Sequence, residues 1–293
     1  MSPKVIVLGI DGLEYNLVEK WSLKNIMQKN YCKLDLSDYS VIVTPPIWGS
    51  MITGVVDEEV MKIWEKSAKI VGIPGKFKQK KWAELGFKIF YLIPPSIQKW
   101  AKYKVLDNLV GGENPFDQTA NYVNDKNQKN VFQYFKNPWT NGLPGYGRNI
   151  IDLTKRQLFD KALSGDKIPF KNHMVECYRS DKSQLLSALK KQEFDFIFWY
   201  TTLLDNLGHI YIGNEVILLD YYLELNNLVG EVISNYPKAC IYVISDHGMK
   251  PIEGGLGSHS KYAFFSSNTK ESIKKPTDLF NLILKHTDFK NLK

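Results

Sequence analysis

Hydrophobic and polar positions alternate along the chain between two kinds of segment. Lys4–Ile10 (KVIVLGI), Phe87–Ile93 (FKIFYLI), Phe194–Tyr200 (FDFIFWY) and Ala239–Ile244 (ACIYVI) are short apolar runs rich in β-branched and aromatic residues. Such runs predict strands buried on both faces, as in a parallel sheet. Ser40–Val43 predicts a further short strand. Helical spacing predicts helices over Leu13–Asn30, Lys76–Leu85, Lys182–Lys191, Val216–Ser234 and Thr277–Lys285, with a shorter one over Asn130–Lys136. Pro45–Thr53 reads as a helix opened by prolines and closed by Gly54. Strands alternating with helices predict an α/β fold, with a mostly parallel central sheet and helices on both faces. Residues 96–180 are the least regular stretch, rich in Asn, Gly, Pro and aromatics. They are expected to form an insertion or cap within one domain spanning 1–293.

Composition narrows the class. At 44% hydrophobic and 24% charged residues, the 293-residue chain has enough apolar side chain for a core, which excludes global disorder. The net charge is +7, yet only Arg148, Arg156 and Arg179 supply guanidinium groups. A nucleic-acid reader spends Arg on bases and phosphates, so no such signal is present. Cys32, Cys177 and Cys240 are odd in number and lack a CxxC pair, which argues against a zinc knuckle or a disulfide frame. The apolar run before Asp11 is too short for a signal-peptide core or a membrane span, and a cytoplasmic protein is expected. The Lys- and Trp-rich segment 62–104 reads first as a wet helix face over core aromatics.

Ligands of open parallel sheets bind beyond the carboxyl ends of the strands. There the sequence places Asp11, Thr44, Asp205 with His209, and Asp246 with His247, followed closely by His259. Asp205 and His209 are four residues apart, on one face of a helical turn. Carboxylates and imidazoles without thiolate suit zinc, manganese or iron(II). Three Asp, three His and one hydroxyl are too many donors for one zinc and about right for two divalent ions. Two-metal sites commonly serve in-line displacement at phosphorus. His173 and His286 carry no assigned chemistry.

GIDGL at 9–13, TPPIWGSMITG at 44–54, DNLGH at 205–209, SDHGM at 245–249 and GSH at 257–259 occur in that order. The set resembles the alkaline phosphatase superfamily, most closely its branch of type I phosphodiesterases and nucleotide pyrophosphatases. The resemblance implies one metal site at Asp205, His209 and His259, and another at Asp11, Asp246 and His247. It makes Thr44 both a ligand and the nucleophile of a double displacement through a phosphothreonine. It also implies two divalent ions, zinc first, and a phosphate-ester substrate such as a nucleotide. The branch has an Asn three places after its nucleophile, where this chain has Ile47, and Pro45 and Pro46 have no N–H to offer. The backbone amides of Ile47 and Trp48, or a Lys or Arg148 from the insertion, are therefore the expected phosphoryl contacts. Alternatives are a phosphomonoesterase or phosphomutase of the same superfamily, a non-catalytic metal and phosphate binder, and a basic membrane- or RNA-binding protein.

Overall fold

The computed structural model describes residues 3–71, 119, 123, 124, 129–148 and 153–287. The elements run β1 (Val5–Ile10), α1 (Tyr15–Lys20), α2 (Lys24–Met27), β2 (Asn30–Asp35), α3 (Thr44–Thr53) and α4 (Glu58–Val71). After a 3-10 turn at Val131–Tyr134 come β3 (Pro138–Thr140), β4 (Leu143–Pro144), β5 (Gly147–Arg148), α5 (Leu153–Leu163) and α6 (Lys167–Lys191). The remainder is β6 (Phe196–Thr201), α7 (Leu203–Tyr211), α8 (Glu215–Asn235), β7 (Cys240–Ile244), β8 (Met249–Pro251), β9 (Gly257–His259), β10 (Tyr262–Ser267) and α9 (Asp278–Leu284).

The central sheet has the order β2-β10-β7-β1-β6-β3. β1 pairs in parallel with β6 and β7, and β3 pairs in parallel with β6. Only β10 runs against its neighbours, β7 and β2. Successive side chains of a strand point to opposite faces, and β1 shows the consequence. Ile6, Leu8 and Ile10 join one core with α1, α2, α6, α7 and α8. Val5 and Val7 join a second core with α3, α4 and α9. A strand covered on both sides can be apolar throughout, and β1 and β6 are buried at every residue.

Three departures from the sequence reading affect the site. Residues 40–43 form no strand; the second strand is Asn30–Asp35, an edge strand. Its exposed positions carry polar residues, so it lacks the continuous apolar signature of the inner strands. The helix expected over Leu13–Asn30 is two short helices, broken where Ser22 and Gln28 adopt φ of 50° and 55°. The helix expected from Lys182 begins at Lys167 and carries a buried stripe of Phe170, Met174, Tyr178 and Leu185. Within 96–180, β3 is thus a strand of the central sheet, and α6 packs against it. The expected helix at 76–85 and strand at 87–93 lie outside the described residues, as does 72–104 of the Lys- and Trp-rich segment.

Candidate active site

The candidate residues are delivered by the ends of the inner strands and by two helix starts. β1 ends at Ile10, and Asp11 follows, its amide bonded to Thr201 O at 3.0 Å. Gly12 then turns the chain with φ of +73°. A Cβ there would meet Asp205 Cα at 2.6 Å, so only glycine lets the first turn of α7 lie against Asp11. Asp205 N closes the contact on Asp11 O at 2.9 Å. Asp246 and His247 follow β7 and are fully buried. His259 ends β9, which lies against α7.

Thr44 follows irregular chain rather than a strand. The N-cap of α3 is Val43, whose side chain makes no capping hydrogen bond, and Thr44 is the first helical residue. Helix geometry then gives the Ile47 amide to the Val43 carbonyl and the Trp48 amide to that of Thr44. Both amides expected to contact phosphoryl oxygen are therefore used inside the helix, and both side chains are buried in the core. With Pro45 and Pro46 next, the leftover amide of the first turn is that of Thr44. Arg148 ends β5, and its side chain lies outside the described residues.

The structure brings the seven residues together. Asp205 Oδ1 lies 3.2 Å from His209 Nε2, 3.5 Å from His259 Nε2 and 3.8 Å from His247 Nε2. His209 and His259 approach at 3.2 Å between their Nε2 atoms. His247 Nε2 is 3.4 Å from Asp11 Oδ1, 3.3 Å from Asp246 Oδ2 and 3.4 Å from Thr44 Oγ1. Asp11, Asp246 and His247 form one group of donors, and Asp205, His247 and His259 form an adjoining one.

Each imidazole is oriented by the backbone. Nδ1 of His209 faces Gly257 O at 3.0 Å, that of His247 faces Gly248 O at 3.1 Å, and that of His259 faces Ile42 O at 2.9 Å. A carbonyl accepts only, so every Nδ1 donates its proton and each ring turns its Nε2 inward. Meanwhile Asp11 Oδ1, Asp205 Oδ1 and both oxygens of Asp246 are buried without a hydrogen-bond partner. Buried carboxylate oxygens without partners are costly. Carboxylate oxygens and Nε2 atoms that converge in this way form a donor set that fits divalent ions.

The electrostatics reflect how closely these charges are crowded. Burial, then the charges of Asp246 and Asp205, push the Asp11 carboxyl well above its ordinary range. Burial pushes Asp246 up to about 7. Burial would raise Asp205 too, but His209 and its neighbours hold it well below the usual value. Burial would lower His209, but the charge and hydrogen bond of Asp205, with the Gly257 carbonyl, raise it to about 9, and burial holds His247 well below its usual value.

One contributor carries no sequence signature. Glu14, three residues after Asp11, is buried and brackets the ligand-bearing loops. Its Oε2 accepts from Met249 N at 2.8 Å and Ser260 Oγ at 3.1 Å. Its Oε1 accepts from Asn16 N at 3.0 Å and from the Tyr262 hydroxyl. His286 lies apart from this site, with Nε2 2.8 Å from Tyr242 Oη and Nδ1 3.6 Å from Cys240 Sγ. His173 Nε2 faces Cys177 Sγ at 3.9 Å along α6.

Comparison with known proteins now bears on this geometry. The family described as type I phosphodiesterase / nucleotide pyrophosphatase matches residues 78–288. The chain belongs to that family. It is therefore a phosphoesterase hydrolase, and the matched range includes Asp205, His209, Asp246, His247 and His259. Asp11 and Thr44 lie before the match and join the site through the fold. No curated protein matches the chain. Among solved structures, a mutant of TAB5 alkaline phosphatase with Mg bound in the M3 site is similar at 15% identity. It has a TM-score of 0.43, with 98% of each chain covered. The alkaline phosphatase from the Antarctic bacterium TAB5 is similar at 13% identity, with 99% of each chain covered and a TM-score of 0.43. Among the described residues, no helix is long and apolar enough to cross a membrane.

Proposed function

We propose that the chain is a metal-dependent phosphodiesterase that works by double displacement through Thr44, on a nucleotide-like diester in the cytoplasm. The observation that carries the reading is the Thr44 hydroxyl. It stands one residue past the cap of α3, and it lies 3.4 Å from His247 Nε2 beside three carboxylates and three imidazoles. Asp205, His209 and His259 would hold one divalent ion, and Asp11, Asp246 and His247 a second, beside Thr44. The imidazole-rich set favours zinc, and manganese and iron(II) suit the same donors. Bound there, the ions supply the charge that stabilises an attacking alkoxide and a leaving oxygen.

The chain's own residues arrange the rest. Thr44 Oγ1 attacks phosphorus and the bond to the first alcohol breaks, leaving a phosphoryl ester on Thr44. Water attacks that ester next, releasing the monoester and restoring the hydroxyl. The amide of Thr44 and the positive end of α3 face the phosphoryl oxygens. Phe159 stands edge-on to His209 at 6.1 Å and offers an apolar wall for the second ester group. A monoester brings one more negative charge than a diester, which calls for an additional cation. Arg156 instead pairs with Asp160 on α5, and Arg179 lines a groove beside α8.

The test compares kcat/KM for bis(p-nitrophenyl) phosphate and p-nitrophenyl phosphate, with added zinc or manganese and with a chelator. The diester is expected to win by at least about tenfold, roughly 1.4 kcal/mol of barrier, and chelation should abolish both activities. A monoester preference would move the protein to the phosphatases or mutases. Turnover that survives chelation would remove the proposed site.

A further inference from the structure

We propose that Tyr200 is a positioning residue for the ion held by Asp11, Asp246 and His247. Its phenol engages one oxygen of Asp11, so that the other faces the ion. The inference rests on the reading of that trio as a metal site.

Tyr200 is a fully buried residue of β6, paired with Gly9 of β1, two residues before Asp11. Its hydroxyl donates to Asp11 Oδ2 at 2.5 Å. The second oxygen, Oδ1, is buried without a hydrogen-bond partner, 3.4 Å from His247 Nε2. A carboxylate turns easily about Cβ–Cγ, and a bond to one oxygen stops that rotation and sets the direction of the other. Partners of this kind orient metal ligands and raise affinity.

The phenol is itself held in place. Asn141 accepts from Tyr200 N at 2.9 Å and donates to Tyr200 O at 2.8 Å. The ring stands edge-on to Trp48 at 5.2 Å. Trp48 lies in α3, and its ring would be 3.0 Å from a Cβ at Gly9, so it fills the space between the nucleophile helix and β1. One side chain thus joins the Asp11 carboxylate to the helix that carries Thr44. Its hydroxyl and its ring do separable jobs: orientation and packing.

Tyr200→Phe removes the first and keeps the second. The experiment titrates Zn2+ or Mn2+ calorimetrically into chelator-stripped full-length protein, with Asp11→Asn and Asp205→Asn assigning the two binding events. Tyr178→Phe is the control, since it removes another buried phenol, the one donating to Glu224 at 3.4 Å. Tyr200→Phe should weaken the Asp11-linked event by about 10- to 100-fold and leave the Asp205-linked event within about threefold. Tyr178→Phe should leave both unchanged. Wild-type affinity at both sites in Tyr200→Phe would overturn the proposal. So would equal weakening at both sites, or the same loss in Tyr178→Phe, because the effect would then be general packing. A wild-type chain that takes up no divalent ion would instead overturn the metal-site reading itself.

Discussion

Thr44→Ala should lower kcat/KM for a phosphodiester by at least about 10⁴-fold, roughly 5 kcal/mol of barrier, while the protein keeps its divalent ions and its fold. The fold should survive because of where Thr44 stands. It is the first residue of α3, one past the cap, Val43. Alanine is the best intrinsic helix former, so the local backbone has no reason to move. The ions should remain because the six Asp and His side chains do not depend on Thr44 for orientation; the three imidazoles are fixed by backbone carbonyls. Steady-state kinetics together with metal analysis of the purified variant check both halves. Turnover at the wild-type rate would remove Thr44 from the chemistry, and loss of the ions would make it a ligand first.

The second large effect is structural. Glu14→Ala should strip partners from two backbone amides, Asn16 and Met249, and from the hydroxyls of Ser260 and Tyr262. A buried donor left unsatisfied costs about 1–3 kcal/mol; Met249 N and Ser260 Oγ are buried and Asn16 N is part-buried, which makes a total of about 3 kcal/mol. That is a large part of the usual stability of a domain, and for a chain of this size it corresponds to a fall of about 6–12 °C in Tm. The loops released are those that carry Asp246, His247 and His259, so affinity for divalent ions should fall at both sites. Thermal unfolding with and without added zinc measures both consequences. An unchanged Tm would mean that water replaces the carboxylate and that Glu14 brackets nothing.

The legible part of this molecule was the part governed by burial on two faces. β1, β6 and β7 have no wet side, so their apolar runs stand out in the sequence and their ends locate Asp11, Asp205 and Asp246. β2 was illegible because an edge strand with one wet face keeps Lys33 and Asp35 among its residues. The start of α6 was hidden by Pro169 and the polar residues around it, although Phe170, Met174 and Tyr178 already repeat every four residues. The Asp and His residues gathered at the candidate site are visible in the sequence as motifs. Glu14 and Tyr200 are not, because their roles exist only through partners about 190 to 250 residues away in the chain. The phosphoryl contacts expected of Ile47 and Trp48 meet a local obstacle. The helix expected from Pro45 begins at Thr44 with Val43 as its cap, and both amides lie inside it.

The most direct measurement is the stereochemical course at phosphorus. Each in-line displacement inverts the phosphorus centre, so attack by Thr44 followed by attack of water gives net retention. Hydrolysis of a phosphorothioate diester of known configuration, run in isotopically labelled water, reads the outcome in the chiral product. Retention is the result this account predicts. Inversion would mean a single direct attack by water, and Thr44 would then not be the nucleophile.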